Sequence, residues 1–380
     1  MRLFVVFTAA LSLLHLGTAS PIEKRAQCAS QLTLAASIAS RLISNYYNSL
    51  LGYFTDGSLW TDANTIEDMH NLMLAAGTDT YALLDSSNTA IEGQLASTTV
   101  WELQVDGSND DTLWLVLTMW KIADYLQARG KDASVYLVLD AQQLVEAHPS
   151  STTWLLLNGI RPTAEAGTYK NSITNELFLY TSADGYLRTG QATYLANAQK
   201  EWAWLNKTSL RNSQGLYNDG LDFNTCQNNG QITWTYNQGV IASGLAALST
   251  ATGDKSLLDI AEVTLDATIS YMTQGGILKE SCDDAAAGGA QCDHDQQIFK
   301  GVFMKHLQYY LDMANDSTRT AKYAGFIAAQ ASAVLHYGKN ANNDIGSVWY
   351  APDAGGSVWQ PEASASGLAA IVAAAKYGTC

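Results

Sequence analysis

Several helical runs of this chain stop in the same way at a fixed interval. Tyr125-Leu126 leads to Gly130, Tyr186-Leu187 to Gly190, Leu248 to Gly253, and a fainter copy runs from Tyr310-Leu311 to Asn315. Apolar residues precede each stop at helical spacing, as in Leu113, Leu117, Trp120 and Tyr125, and glycine or asparagine just past a helix is the residue that turns left-handed most readily. The stops recur about every sixty residues, which accommodates one helical hairpin and its connection. Read outward from them, the chain is all-α, with about a dozen helices pairing as six hairpins. Six inner helices ringed by six outer ones give an (α/α)6 barrel. The expected inner members start near Asn64, Asp111, Lys170, Thr235, Asp295 and Glu362, each followed by an apolar run richer than that of its partner.

Composition supports one large core. Hydrophobic residues make up 47% of the 380 and charged residues 15%, far from the signature of disorder. A net charge of −15 argues against a partner that carries phosphates, so no nucleic acid is expected. Residues 1–20 read as a signal peptide, with Arg2, an apolar run to Leu16 and small residues to Ser20; residues 21–25 read as a short pro-segment ending in Lys24-Arg25. Residues 26–380 then form a single domain. The expected setting is secreted, extracellular or bound to the cell wall, with no membrane span and a monomeric chain. Cys282 and Cys292 flank a Gly/Ala-rich stretch and are expected to form a disulfide, while the pairing of Cys28, Cys226 and Cys380 stays open. No Cys-x-x-Cys pair suggests zinc, and neither metal nor cofactor is expected. Asn206 and Asn315 begin sequons and are expected to carry glycans on the outside.

The expected helix starts gather polar and aromatic residues at one mouth: Trp60, Asp62 and Asn64; Lys170 and Asn171; Trp234, Tyr236 and Asn237; and Asp295. Flat rings that stack on pyranose faces, with amides and carboxylates that pair hydroxyls, are what a sugar cleft requires. Glycoside hydrolysis further needs two carboxyl groups flanking the anomeric carbon. Asp110-Asp111 is the candidate pair. By composition alone Ser108-Asn109-Asp110-Asp111 reads first as a helix cap, because these residues favour the positive end of a helix dipole. The dipole lowers both carboxyl pKa values and each carboxylate raises the other's, an opposition that can leave one Asp ionised and one protonated.

With Asp110-Asp111-Thr112-Leu113-Trp114 at that mouth, the chain resembles glycoside hydrolase family 76, the fungal and bacterial endo-α-1,6-mannanases and related cell-wall proteins. The resemblance also rests on Tyr169-Lys170-Asn171 with Asn175-Glu176 and Phe178, on Asp219-Gly220-Leu221-Asp222, on Trp234-Thr235-Tyr236-Asn237-Gln238, and on Phe299-Lys300-Gly301. It implies a retaining reaction on α-1,6-mannan or manno-oligosaccharides, with Asp110 the nucleophile and Asp111 the acid/base. It adds Asp219, Asp222, Phe299 and Lys300 to the expected substrate contacts. The chain departs from the family at Leu157 to Pro162, where a Gly-rich segment ending in Trp is expected.

Three functions remain distinct at this stage: an endo-mannanase, a transglycosidase that moves mannan-linked glycan onto wall polymers, and a mannan-binding protein without turnover. The last residues, Ala375 to Cys380, carry no hydrophobic tail after a polar spacer, which favours a diffusible hydrolase over an anchored transglycosidase. A pure binder would not need both Asp110 and Asp111. For several residues a structural role competes. Asp219 and Asp222 flank Gly220 in a turn-like segment without calcium-loop spacing. Lys170 can pair with a carboxylate, and Trp120, Trp202 and Trp204 read as core. His294 stays outside the catalytic set.

Overall fold

A computed structural model describes residues 27–94, 108–137, 170–222, 225–283, 292–352 and 357–380. The leader, the pro-segment and the divergent stretch from Leu157 to Pro162 lie outside the described residues. Helices alternate between two rings in chain order. The outer members are α1 (Ala29–Tyr46), α3 (Asn88–Gln94), α5 (Ser134–Leu137), α7 (Ala192–Leu205), α9 (Ser256–Tyr271) and α11 (Ser317–Ala333). The inner members are α2 (Leu59–Ala76), α4 (Asn109–Ala128), α6 (Ser172–Thr189), α8 (Thr235–Thr252), α10 (His294–Ala314) and α12 (Pro361–Tyr377). Each inner helix packs on the next, and α12 packs back on α2, which closes the ring. The (α/α)6 barrel read from the repeat is therefore the fold.

The helix stops behave as their residues require. Gly190, Gly253 and Asn315 are C-caps at φ 71°, 79° and 43°, and Gly130 follows its helix at φ 67°. Inner helices are buried almost all round; in α8 every residue from Thr235 to Ser249 is buried. Such contact between backbones needs small residues. A Cβ on Gly301 of α10 would fall 2.3 Å from the Cα of Ser366 in α12.

One start differs clearly from expectation. Helix α2 begins at Leu59 rather than near Asn64, because Ser58 and Thr61 form a capping box one turn earlier. Asp62 and Asn64 are thereby drawn into the helix and buried. The barrel interior also holds charge: Lys305 Nζ donates to Asn64 Oδ1 at 2.9 Å and Glu67 Oε2 at 2.6 Å, and lies 3.1 Å from Asp68 Oδ1. Tyr309 donates its hydroxyl to Glu67 at 2.8 Å.

Short two-stranded pairings, two of them hairpins, lie on the mouth side. Strand β1 (Tyr47–Asn48) pairs with β2 (Tyr53–Phe54), β3 (Lys170–Asn171) with β4 (Gly220–Leu221), and β5 (Thr273–Gln274) with β6 (Ile277–Leu278), all antiparallel. The second pairing sets Asn171 opposite Gly220 and so brings the Asp219 loop to the start of α6. Cys282 and Cys292 form the expected disulfide. The Cys28 and Cys380 thiols share a hydrogen bond, and Cys28 N donates to Ala375 O at 2.9 Å. Trp120 is core, and Trp202 and Trp204 pack against it from α7. No described helix is long and apolar enough to cross a membrane.

Candidate active site

The N-terminal ends of the inner helices surround a cavity of about 360 Å³. Ser108, Asp110, Asp111 and Trp114 line it from α4, and Trp60, Asp295, Phe299 and Tyr236 close it from α2, α10 and α8. Helix geometry explains this set: Ser108 is the N-cap, accepting from Asp111 N at 3.3 Å, so both aspartates fall in the first turn. Trp114, four residues after Asp110, shares a helix face with it. The cap reading of this segment is thus correct and leaves the carboxyls aimed at the cavity.

The two aspartates sit in different surroundings. Asp110 accepts from Ser108 Oγ at 2.5 Å and from Asn171 Nδ2 at 3.5 Å, donors from two elements that orient it. Asp111 loses water, and that desolvation, with Asp110 and Asp295 nearby, pushes its carboxyl up to about 8 against the downward pull of Ser108. Asp111 therefore holds a proton at neutral pH. Asp295 is raised for the same leading reason, opposed by Trp60, whose Nε1 donates to it at 3.0 Å. Glu362, at the start of α12, is pushed by burial up to about 7, with His294 Nδ1 only 3.9 Å away.

Aromatic rings form one wall. Phe299 stacks on Tyr236 with centroids 4.0 Å apart and planes 3° apart, and meets Trp234 edge-on at 5.3 Å. Trp60 lies against Trp114 at 5.9 Å and Phe299 at 6.3 Å. Asp219 approaches through its backbone: its carbonyl accepts from Ser172 N at 2.7 Å, and its N donates to Ile232 O at 3.0 Å.

Other expected contacts lie elsewhere, each for a stated physical reason. Asp62 accepts from Phe54 N at 2.7 Å and from the Thr89 hydroxyl, tying α2 to its neighbours. Asn64 is taken by Lys305 and by the Trp60 carbonyl. Lys300 is fully buried in an ion pair with Asp283 and donates to Ser347 O at 2.7 Å. Asn237 is the exception: it is fully buried in the first turn of α8, and neither its Oδ1 nor its Nδ2 has a hydrogen-bond partner. Asp222 accepts from Thr225 N at 2.8 Å and Thr225 Oγ1 at 2.9 Å, an exposed turn. Lys170 reaches Cys226 Sγ at 3.3 Å. Sequence reasoning placed the Glu362 helix start at the mouth but left Trp114 out of the expected contacts; the i, i+4 spacing to Asp110 was the signal for Trp114.

Comparison with known proteins decides the family. A family model described as glycosyl hydrolase family 76 matches residues 31–377. The chain belongs to glycosyl hydrolase family 76. Among curated family 76 relatives, the mannan endo-1,6-alpha-mannosidase DCW1 of Eremothecium gossypii is 25% identical over 323 residues, covering 80% of this chain and 69% of that one. A putative mannan endo-1,6-alpha-mannosidase of Schizosaccharomyces pombe is 25% identical over 80% of this chain and 70% of its own. An inactive variant of the alpha-1,6-mannanase of Salegentibacter sp., with two adjacent aspartates replaced and alpha-1,6-mannotetrose bound, superposes with a TM-score of 0.73 at 18% identity, over 91% of this chain and 98% of that chain. Dfg5 from Chaetomium thermophilum in complex with glucosamine gives 0.75 at 17% identity, over 93% and 92%.

Proposed function

We propose that this family 76 protein is an endo-acting α-1,6-mannanase that works by retaining double displacement. One observation carries the reading: two adjacent carboxyls in one aromatic-walled cavity, with Asp111 kept protonated and Asp110 oriented by Ser108 and Asn171. The mannan-cleaving relatives and the Salegentibacter enzyme inactivated at an adjacent aspartate pair support it. In the first step Asp110 attacks the anomeric carbon while Asp111 gives its proton to the departing glycosidic oxygen. In the second, Asp111, now ionised, takes a proton from water, and that water displaces Asp110 with the starting configuration restored. The Trp60, Phe299 and Tyr236 rings would offer stacking faces for mannosyl units, and Asp295, which lines the same cavity, would pair a hydroxyl. An extracellular setting is part of the proposal, since the chain starts with a leader-like segment and holds a disulfide. The exposed Asn206 and Asn315 would then carry glycans.

The test is product analysis on linear α-1,6-mannan with the parent chain, Asp110→Asn and Asp111→Asn. Short oligosaccharides released in the α configuration, and lost in both variants, are expected. Release of β anomers, full activity in either variant, or products longer than the input would overturn the assignment.

A further inference from the structure

Tyr236 stands in the wall of the candidate active-site cavity in a way that its ring alone does not explain. It is the second residue of α8, and the backbone there is fixed: Gln238 Nε2 donates to Trp234 O at 2.8 Å and to Tyr217 O at 2.9 Å. Phe299 lies flat on the Tyr236 ring, with centroids 4.0 Å and planes 3° apart, and Trp234 meets Phe299 from its edge at 5.3 Å. One face of the tyrosine is therefore taken before any sugar arrives, and only 9% of the residue is exposed. A phenylalanine would make the same stack. The hydroxyl is the part of Tyr236 that this stack does not use.

The surroundings of that hydroxyl are acidic. The lining of the cavity contributes Asp110, Asp111 and Asp295 and no lysine, arginine or histidine. Burial first, and then the charges of Asp219, Asp110, Glu176 and Asp295, hold the phenol proton well above the ordinary tyrosine range. Two cations that neighbour site residues in sequence are engaged elsewhere: Lys170 reaches Cys226 Sγ at 3.3 Å, and His294 Nδ1 lies 3.9 Å from Glu362 Oε2. Tyr236 is thus a neutral O–H donor at neutral pH, in one cavity with Asp110.

In the proposed double displacement one charge disappears and returns. Asp110 loses its charge when it bonds to the anomeric carbon. In the second step the water oxygen bonds to that carbon, the bond to Asp110 breaks with its electron pair left on the carboxylate, and the water proton passes to Asp111. A fixed donor beside the departing carboxylate lowers the barrier to this second step. It does less for the first, where it stabilises the carboxylate before attack. We propose that the Tyr236 hydroxyl is that donor, a catalytic group that acts with Ser108 and Asn171 on Asp110 and serves the breakdown of the mannosyl-enzyme. The inference rests on the mannanase reading for the reaction and on the shared cavity for its geometry.

Tyr236→Phe tests it, because the substitution removes the hydroxyl and keeps the ring on Phe299. On linear α-1,6-mannan kcat is expected to fall about ten- to a hundredfold, the loss of one donor to a charged group, with KM falling alongside as the intermediate accumulates. Intact mass of the variant, quenched during turnover, should show the chain carrying covalent mannosyl residues that the parent chain lacks. A kcat within about twofold of the parent, a rise in KM at constant kcat, or a lower kcat without the adduct would each overturn the assignment. A parent chain inactive on the mannan would instead defeat the mannanase reading. In that event, and equally if Tyr236→Phe fails to fold, 19F NMR of chains carrying 3-fluorotyrosine in place of Tyr236 decides the placement. Its resonance is expected to move when Asp110→Asn removes the neighbouring charge, and a resonance that stays in place refutes a hydroxyl beside Asp110.

Discussion

Replacing Asp111 by Asn should make the protein more stable and abolish its activity, and the stability gain should depend on pH. The carboxyl has its ordinary value of 3.8 in the unfolded chain, and burial pushes it up to about 8 in the folded one. Between those values the folded state binds more protons than the unfolded state, so stability falls as pH rises through the window. One pKa unit corresponds to about 1.4 kcal/mol, and at pH 7 about three units of the gap have been crossed, which places the ceiling near 4 kcal/mol. Coupling to Asp110 and Asp295 lets neighbouring groups absorb part of this, so about 2–4 kcal/mol is expected. Asn is a neutral isostere of the protonated acid and does not titrate. Urea unfolding of parent and Asp111→Asn chains at pH 4, 7 and 9 measures the difference. Near equality is expected at pH 4, with a gain for Asn that grows to pH 7 and levels off above about 8. A gain independent of pH, or a variant less stable at pH 7, would refute the claim that desolvation holds a proton on Asp111.

Three further outcomes follow from the packing. Gly301→Ala forces a Cβ onto the Ser366 backbone, so a loss of about 3 kcal/mol or more is expected in denaturant melts, beyond ordinary overpacking because neither helix can yield locally. Lys305→Met removes the cation beside Glu67 and Asp68 in the interior; about 3–5 kcal/mol should be lost in denaturant melts at pH 7, with part recovered at lower pH, where Asp68, pushed up to about 7 by burial, is protonated. With a glutathione disulfide buffer as oxidant, Cys28 and Cys380 should pair, seen by intact mass as the loss of two thiol hydrogens, and Cys380→Ser should then melt lower, since this bridge closes nearly the whole chain into one loop.

The barrel was legible because its signals are local and repeated: an apolar run, a left-handed stop, and a return at a constant interval. The candidate active-site cavity was legible in part for the same reason, since a residue at a helix start is at the mouth by construction. That is why Asp110, Asp111, Asp295, Tyr236 and Trp60 came together. Residues a turn further along were misplaced. Asn64 and Lys300 have the polarity of ligand contacts, and only three-dimensional packing shows that Lys305 and Asp283 take them. On a helix buried all round, period no longer separates a face toward the cavity from a face toward a neighbour.

Six helix N-termini converge on the mouth, and their dipoles there should favour ionised carboxylates. Asp111, Asp295 and Glu362 nevertheless all move the other way, and in each the largest cause is desolvation. The dipole contribution is worth at most about 2 kcal/mol in a partly buried site, less than the roughly 5–6 kcal/mol to which a rise of Asp111 from 3.8 to about 8 corresponds. Removal of water therefore outranks the helix field at this mouth. The aromatic wall then acts on the chemistry as well as on the sugar: the Trp60 and Trp114 rings that line the cavity beside Asp111 exclude the water that would otherwise ionise it. A mannosyl unit stacked on that wall would exclude still more. Under the proposed mechanism the substrate would reinforce the protonated state that its own leaving group requires, while Ser108 and Asn171 hold Asp110 in place.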